Sequence, residues 1–335
     1  MDPCRPADPC RAARAAQLLA RRPGPPGERA VRPSVRPPEQ RVTAPAARPP
    51  RPASGALRGV VVAAERISAS MVRVVVGGDG MRDFAPSEHA DSYVKLVFLP
   101  PSAGDARPLL DDGRVDLDAI TATLAPGDQL RRRSYTVRAF DPATHQITLD
   151  LVVHGDEGLA GPWADRAAPG DEVLLLGPGG DYSPDPSADH HLLVGDASAL
   201  PAIAVALERL AATAPAAQGT AVIEVHGPDD EIALTAPAGL SVRWVHQGIA
   251  VAGLGLVEAV RDLPWPAGRV HAFVHGEAGA VKELRHLLRV DRALSRELLS
   301  ISGYWRLGAD DEEWRAVKRD WNRSIEHDEQ AAGLI

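Results

Sequence analysis

Between residues 59 and 176 the apolar positions recur every second residue, the period of a strand with one face buried. Residues 59–67 and 71–76 alternate or are β-branched, and Gly77-Gly78-Asp79-Gly80 breaks the second run. Residues 92–99, 133–140, 145–153 and 171–176 predict four more strands. The stretch 100–130 reads as an insertion, bounded by Pro100-Pro101 and by Ala125-Pro126-Gly127-Asp128. Six antiparallel strands separated by turn residues predict a small closed barrel, because closure removes exposed sheet edges.

From residue 190 the pattern changes to short apolar strands alternating with helices. Strands are predicted at 192–194, 221–226, 241–246, 269–275 and 298–302. Helices are predicted at 199–212, with Ile203, Leu207 and Leu210 on one face, at 253–262, and at 278–289, with Val281, Leu284 and Leu288 on one face. This alternation predicts a doubly wound parallel sheet that binds ligands at the carboxyl ends of its strands. A last helix opens at Asp310, which with Glu313 has capping-box spacing. Its Trp314, Val317, Trp321 and Ile325 form an apolar stripe suited to packing on the body or on a second subunit. Residues 1–55 have no period and are rich in Pro, Arg and Ala, so a disordered tail is predicted there. The chain thus divides into a tail at 1–55, a barrel domain at 56–188, an α/β domain at 189–308 and a C-terminal helix and tail at 309–335.

Charge and cysteine content narrow the function. Lys and Arg number 37 against 45 Asp and Glu, a net charge of −8, which argues against a general nucleic-acid binder. Eleven arginines and four acids make the tail basic, so it reads as a solvated extension, an upstream start or an arm for an acidic partner. No apolar run approaches the ~20 residues of a membrane span and no signal-peptide core is present, so a cytoplasmic location is expected. The only cysteines, Cys4 and Cys10, lie in the tail. The folded part therefore has no disulfide, thiolate zinc site or iron–sulfur cluster of its own, and redox chemistry there requires an organic cofactor.

The candidate chemistry centres on Arg131-Arg132-Arg133-Ser134-Tyr135-Thr136-Val137-Arg138. Strand alternation puts Arg133, Tyr135 and Val137 on one face and Ser134, Thr136 and Arg138 on the other. A cation, an aromatic ring and a hydroxyl in succession suit a flat, phosphate-bearing cofactor; they also make an ordinary amphipathic strand with a basic end. At 158–167, Gly161 and Pro162 suit the start of a short helix facing a pyrophosphate, or a one-turn plug with Trp163 in the core. The loop Gly195-Asp196-Ala197-Ser198 lacks a Gly-x-Gly-x-x-Gly fingerprint. After the second parallel strand, Asp229, Asp230 and Glu231 have no basic neighbour. Carboxylates there accept from a ribose 2′-hydroxyl and repel a 2′-phosphate, so NADH is preferred over NADPH, unless this is simply an acidic surface loop.

Residues 133–136 resemble the Arg-x-Tyr-Ser/Thr flavin strand of the ferredoxin reductase superfamily. Further matches are His154-Gly155 with Gly161-Pro162-Trp163-Ala164, Gly195-Asp196 with Ala199-Leu200-Pro201-Ala202, and Gly276-Glu277-Ala278 with Gly303-Tyr304-Trp305-Arg306-Leu307-Gly308. Together, over roughly residues 57–325, they resemble the siderophore-interacting proteins, which are flavin-dependent ferric-siderophore reductases. The resemblance implies an FAD-binding barrel followed by a nicotinamide domain. It sets Arg133 at the pyrophosphate, Tyr135 beside the isoalloxazine, Thr136 toward N5 and Ser134 between them, with His154, Gly155, Gly161, Pro162, Trp163 and Ala164 around the same cofactor. Gly195, Asp196, Ser198, Asp229 and Glu277 fall to the nicotinamide dinucleotide, and Lys95 and Arg306 to an anionic ferric siderophore. The implied reaction carries electrons from NADH through flavin to chelated Fe(III) and releases Fe(II), with no protein acid, base or nucleophile. The chain departs from the family at Ala197, where a Glu is usual, which leaves a non-catalytic flavin- or siderophore-binding module as an alternative. A general flavin reductase or diaphorase on the same scaffold is another.

Overall fold

The structure is a computed structural model that describes residues 55–155, 158–331 and 333. The expected disordered tail falls outside these residues except for Gly55, which opens the first strand. The barrel half consists of β1 (Gly55–Ser68), β2 (Met71–Gly77), β3 (Tyr93–Phe98), β4 (Val115–Asp116), α1 (Leu117–Ala122), β5 (Arg131–Asp141), β6 (Gln146–Val152), α2 (Ala160–Arg166) and β7 (Glu172–Gly179). The strands run β2-β6-β5-β3-β7-β1-β4, and β1 also pairs with β2, so six antiparallel strands close on themselves and β4 hangs on β1. Alternation sends Val74, Val76, Val94, Leu96, Ile147, Leu149, Leu151 and Leu175 into one core.

The segment 100–130 is more ordered than its turn-rich sequence implies. Asp116 caps α1 through Asp118 N (3.0 Å) and Ala119 N (2.9 Å). Leu117 and Ile120 then pack on Ala56, Val97 and Leu174, making a second small core on the outer face of the barrel. No apolar period marks this helix in the sequence, because only two of its six residues face the core.

The second half consists of β8 (His190–Asp196), α3 (Leu200–Thr213), β9 (Gln218–Val225), β10 (Gly239–His246), α4 (Leu254–Arg261), β11 (Val270–Glu277), α5 (Ala278–His286) and β12 (Leu299–Trp305). The strands are parallel in the order β10-β9-β8-β11-β12. α3 covers one face, with Leu193, Ile223 and Phe273; α4 and α5 cover the other, with Leu192, Val194, Val222 and Val274. The chain therefore leaves β8 and β11 toward opposite faces, which opens a crevice at their carboxyl ends.

Several contacts join the halves, two of them through acidic side chains. Asp230 accepts from Ser70 N (2.6 Å), Ser70 Oγ (2.8 Å) and Ser68 Oγ (3.1 Å), which ties the β1–β2 turn to the α/β sheet. Arg138 of β5 pairs with Glu208 of α3.

The final helix, α6 (Asp311–Ala331), begins with the expected reciprocal cap: Glu313 N donates to Asp310 Oδ1 (2.8 Å) and Asp310 N to Glu313 Oε2 (3.0 Å). Its inward face differs from the predicted stripe. Val317 is 42% exposed, and the residues turned inward are Trp314, Lys318, Trp321, Ile325 and Glu329, spaced by three and four. Lys318 qualifies because its ammonium lies 5.9 Å from the centre of the Trp314 ring and donates to Ser302 Oγ (3.1 Å). Glu329 qualifies because Arg285 holds it through two bonds, of 2.6 and 3.0 Å. Among the described residues no helix is long and apolar enough to cross a membrane.

Candidate functional site

The register of β5 against β3 fixes which side chains share a face. Leu96 lies opposite Arg133 and Val94 opposite Tyr135, so these two site residues emerge on the barrel's core face. Lys95 lies opposite Ser134 and Tyr93 opposite Thr136, on the other face, and the Lys95 ammonium is 5.7 Å from the centre of the Tyr93 ring. Thr136 is buried. Tyr135 is half-buried at its surface, and desolvation pushes its phenol well above the ordinary tyrosine range. The strict alternation ends in a bulge between Val137 and Ala139.

The Arg133 guanidinium is held by α6. Its two terminal nitrogens donate to the two oxygens of Glu312 (2.6 and 2.8 Å), and one of them also reaches Asp311 (3.2 Å). Burial works against its charge, but the bond to Glu312 and the charges of Asp311 and Glu312 outweigh it, so its pKa is raised. This pairing spans 179 residues, and the only trace of it in the sequence is the acids in the first turn of α6.

α6 should therefore be sensitive to acid. The bonds from Arg133 to Glu312 and from Arg285 to Glu329 hold both carboxyls below the usual glutamate range. A depressed pKa contributes stability above the unfolded value and loses it as pH falls through the folded one. Burial raises Asp311 instead, so it takes up its proton earlier and gives up its weaker contact first. On titration from pH 7 downward, Trp314 and Trp321 emission should change in a transition centred below the ordinary glutamate pKa. An E329Q variant should lose part of that transition.

Before α2 the chain is open. His154 and Gly155 are exposed, and Gly155 and Gly158 have φ of 54° and 81°, the left-handed region that glycine tolerates. No side chain caps the helix at Leu159, and a Cβ placed at Gly161 would meet nothing nearer than Val152 O at 3.5 Å. Pro162 and Ala164 are buried, and the Trp163 ring packs edge-on to Phe98 (6.1 Å) and against the barrel core. Trp163 therefore plugs the barrel end, as its core reading expects. Phe98 lies opposite Arg131, so α2 and the start of β5 occupy the same end of the barrel. Uncapped helix N–H groups, a guanidinium fork and a half-buried phenol fit a flavin with a pyrophosphate tail, once Arg133 is free of Glu312.

At the crevice between β8 and β11, the backbone approaches closely and the acids turn inward. A Cβ on Gly195 would lie 2.7 Å from His275 O, and one on Gly276 (φ 145°) 2.5 Å from Asp196 Oδ2. Asp196 is buried and accepts from Ser198 N (2.9 Å), Ser198 Oγ (2.5 Å), Glu277 N (2.8 Å) and the Trp305 indole (2.8 Å). Burial raises its pKa against those bonds. Glu277 accepts from Ala280 N (2.9 Å) and Leu307 N (3.2 Å). The carboxylates expected to meet a dinucleotide thus brace the crevice walls, and the Ser198 hydroxyl is committed to Asp196. Glu224, absent from the expected set, does the same for α4, accepting from Gly253 N (2.6 Å) and Leu256 N (3.1 Å). Of the three acids after β9, Asp230 is buried against the serines of the β1–β2 turn and Glu231 is bonded to His246 (2.7 Å), so only Asp229 keeps an exposed side chain with no partner of this kind.

The end of β12 and the residues just after it line the crevice. Tyr304 meets His275 edge-on (4.9 Å), and burial pushes its phenol far up, with smaller contributions from Asp91, Asp196 and Tyr93. Arg306 next to Trp305 is exposed, and neither it nor Lys95 makes an ion pair among the described residues. His191 is fully buried with both ring nitrogens unpartnered, and desolvation lowers its pKa to about 4, which keeps it neutral. Among the described residues no group of three or more His, Cys, Asp or Glu is placed to hold a metal ion.

Residues 60–182 match the siderophore-interacting FAD-binding domain family, and residues 188–308 match the siderophore-interacting protein family. The chain is 30% identical over 256 residues to the ferric vibriobactin reductase ViuB of Vibrio cholerae, covering 75% of this chain and 89% of ViuB. It is 27% identical over 246 residues to the NADPH-dependent ferric-chelate reductase of Escherichia coli, covering 73% of this chain and 91% of that protein. The crystal structure of a siderophore utilization protein from T. fusca superposes with a TM-score of 0.65 at 38% identity, over 76% of this chain and 94% of that one.

Proposed function

The chain belongs to the siderophore-interacting protein family, and from that premise we propose that it is an FAD-dependent ferric-siderophore reductase. The observation that carries the reading is β5, which presents Arg133 and Tyr135 on one face at the barrel end where α2 offers an uncapped N-terminus. FAD, when bound, supplies the conversion of a two-electron hydride donor into single-electron delivery to chelated Fe(III). The chain's own residues bind and orient. Arg133 and the first turn of α2 take the pyrophosphate, Tyr135 packs beside the ring, and Thr136 approaches its edge; Ser134 lines the strand, and His154 and Gly155 flank the entrance. Gly195 and the backbone of the Asp196–Ser198 loop admit the dinucleotide, while Asp196 and Glu277 hold the walls. Lys95 and Arg306 attract an anionic ferric siderophore, and release follows because Fe(II) binds hard oxygen donors far less tightly than Fe(III).

For the donor we infer NADH over NADPH. Asp229 alone now supports this, since Asp230 and Glu231 are engaged within the fold, and the E. coli relative is by name NADPH-dependent. The test is the visible spectrum of the FAD-reconstituted protein under anaerobic conditions, with NADH or NADPH added first and a ferric siderophore second. Bleaching by NADH, then recovery of colour as Fe(II) enters a chelator trap, is expected. Bleaching by NADPH alone overturns the donor assignment, bleaching without iron release points to a general diaphorase, and failure to take up FAD sinks the whole reading.

A further inference from the structure

The first turn of α6 occupies the one arginine of β5 that a flavin phosphate needs. A guanidinium carries five N–H donors, and the two-bond contact with Glu312 takes its end-on edge, the one formed by both terminal nitrogens. A phosphate and Glu312 therefore cannot both be held in this way. The contact is well shielded: the Arg133 side chain is 14% exposed and that of Glu312 23%. One further bond fastens the start of the helix to the strand, from Arg315 to Arg132 O (2.8 Å), and within the helix Arg315 also pairs with Asp311. Beyond this turn the helix is anchored independently by buried Trp314 and by the Arg285 and Arg289 contacts with Glu329. Before it, Gly308 has φ of 77° and nothing within 4 Å of where a Cβ would lie. The turn can thus unwind while the rest of the helix stays docked.

We propose that Glu312, assisted by Asp311, is an internal competitor for the flavin phosphate, so that the acidic first turn of α6 must release Arg133 before FAD binds fully. The proposal rests on the assignment of Arg133 to the phosphate made above. It assigns to the C-terminal helix a control over cofactor loading that its position outside both sheets does not suggest. Flavin affinity then follows a contest between two anions of one chain and ligand for one cation, and removing the internal anion favours the ligand. The same substitution has no effect on a flavin that lacks phosphate.

The experiment is a fluorescence titration of the full-length apoprotein with FAD and, separately, with riboflavin, for wild type, E312Q and R133A. E312Q is expected to tighten FAD about three- to tenfold, to speed its association in stopped flow, and to leave riboflavin unchanged. In wild type, FAD but not riboflavin should shift the emission of Trp314 and Trp321 as the turn detaches. R133A should weaken FAD. If R133A weakens FAD while E312Q leaves it unchanged or weakens it, Glu312 orients Arg133 rather than competing, and the proposal fails with the function intact. If R133A leaves FAD unchanged, the assignment of Arg133 fails instead. Equal changes for FAD and riboflavin in E312Q also overturn the competition.

Discussion

Replacing Arg133 by alanine should weaken FAD binding about a hundredfold or more and loosen the start of α6 at the same time. Truncating one partner of a buried, hydrogen-bonded charge pair costs about 2–5 kcal/mol, because the other charge is left without compensation. At about 1.4 kcal/mol per factor of ten, that range spans roughly thirtyfold to several thousandfold in affinity. Here the effect on the cofactor is compounded. The deletion removes the cation and also leaves Glu312 and Asp311 facing an incoming phosphate with no guanidinium between them. R133K is the informative second variant: it restores the charge but not the planar fork, so most of the lost affinity should stay lost. Titration by flavin fluorescence measures the binding. If the R133A protein binds FAD within threefold of wild type, the β5 arginine is a packing residue, and the cofactor reading must rest on α2 alone.

The double variant R133A/E312Q separates attraction from repulsion. With no cation left to contest, the E312Q substitution can help only by removing a negative charge, so its benefit in this background measures repulsion alone. Comparing that benefit with the one seen when Arg133 is present apportions the two effects. Screening gives a further handle, since raising ionic strength to 0.5 M should shrink the repulsive part most.

The strands and helices were legible in the chain because period and burial coincide there. Val74, Val76, Leu149 and Leu151 face one core on alternate positions, and Ile203, Leu207 and Leu210 face another at helical spacing. The motif residues of β5 were legible for the same reason, since alternation alone assigns Arg133 and Tyr135 to one face. What was not legible depends on where side chains far apart in sequence meet. Asp196 and Glu277 have the composition of ligand-facing acids, yet each accepts from backbone or indole N–H groups that converge only once β8, β11, β12 and the residues after it are assembled. Val317 fitted an apolar stripe by spacing, but the helix is rotated so that Lys318 and the paired Glu329 take inward positions instead. Buried polar groups of this kind follow pairing rather than hydrophobicity, so no apolar pattern announces them.

Asp196 is where that distinction has its largest consequence, and D196A should destabilise the protein by about 3–5 kcal/mol. Removing the carboxylate leaves Ser198 N, Glu277 N and the Trp305 indole without their acceptor in the interior, and each orphaned donor costs about 1–3 kcal/mol before relaxation. D196N retains one acceptor oxygen and should lose less, about 1–2 kcal/mol by the same reasoning. The pH dependence separates the two roles of this group. Because burial raises the Asp196 pKa, its contribution is fully present below the unfolded aspartate value and is lost as pH rises through the folded one. The stability gap between wild type and D196N should therefore narrow as pH rises, as urea denaturation at a series of pH values will show. Trp305 released from Asp196 also frees neighbouring Arg306, so D196N at a temperature where it is fully folded should raise KM for the ferric siderophore more than it alters FAD affinity. An unchanged KM with lowered stability would make the Asp196–Trp305 bond a structural brace alone, and would remove the link between the crevice wall and the basic group beside it.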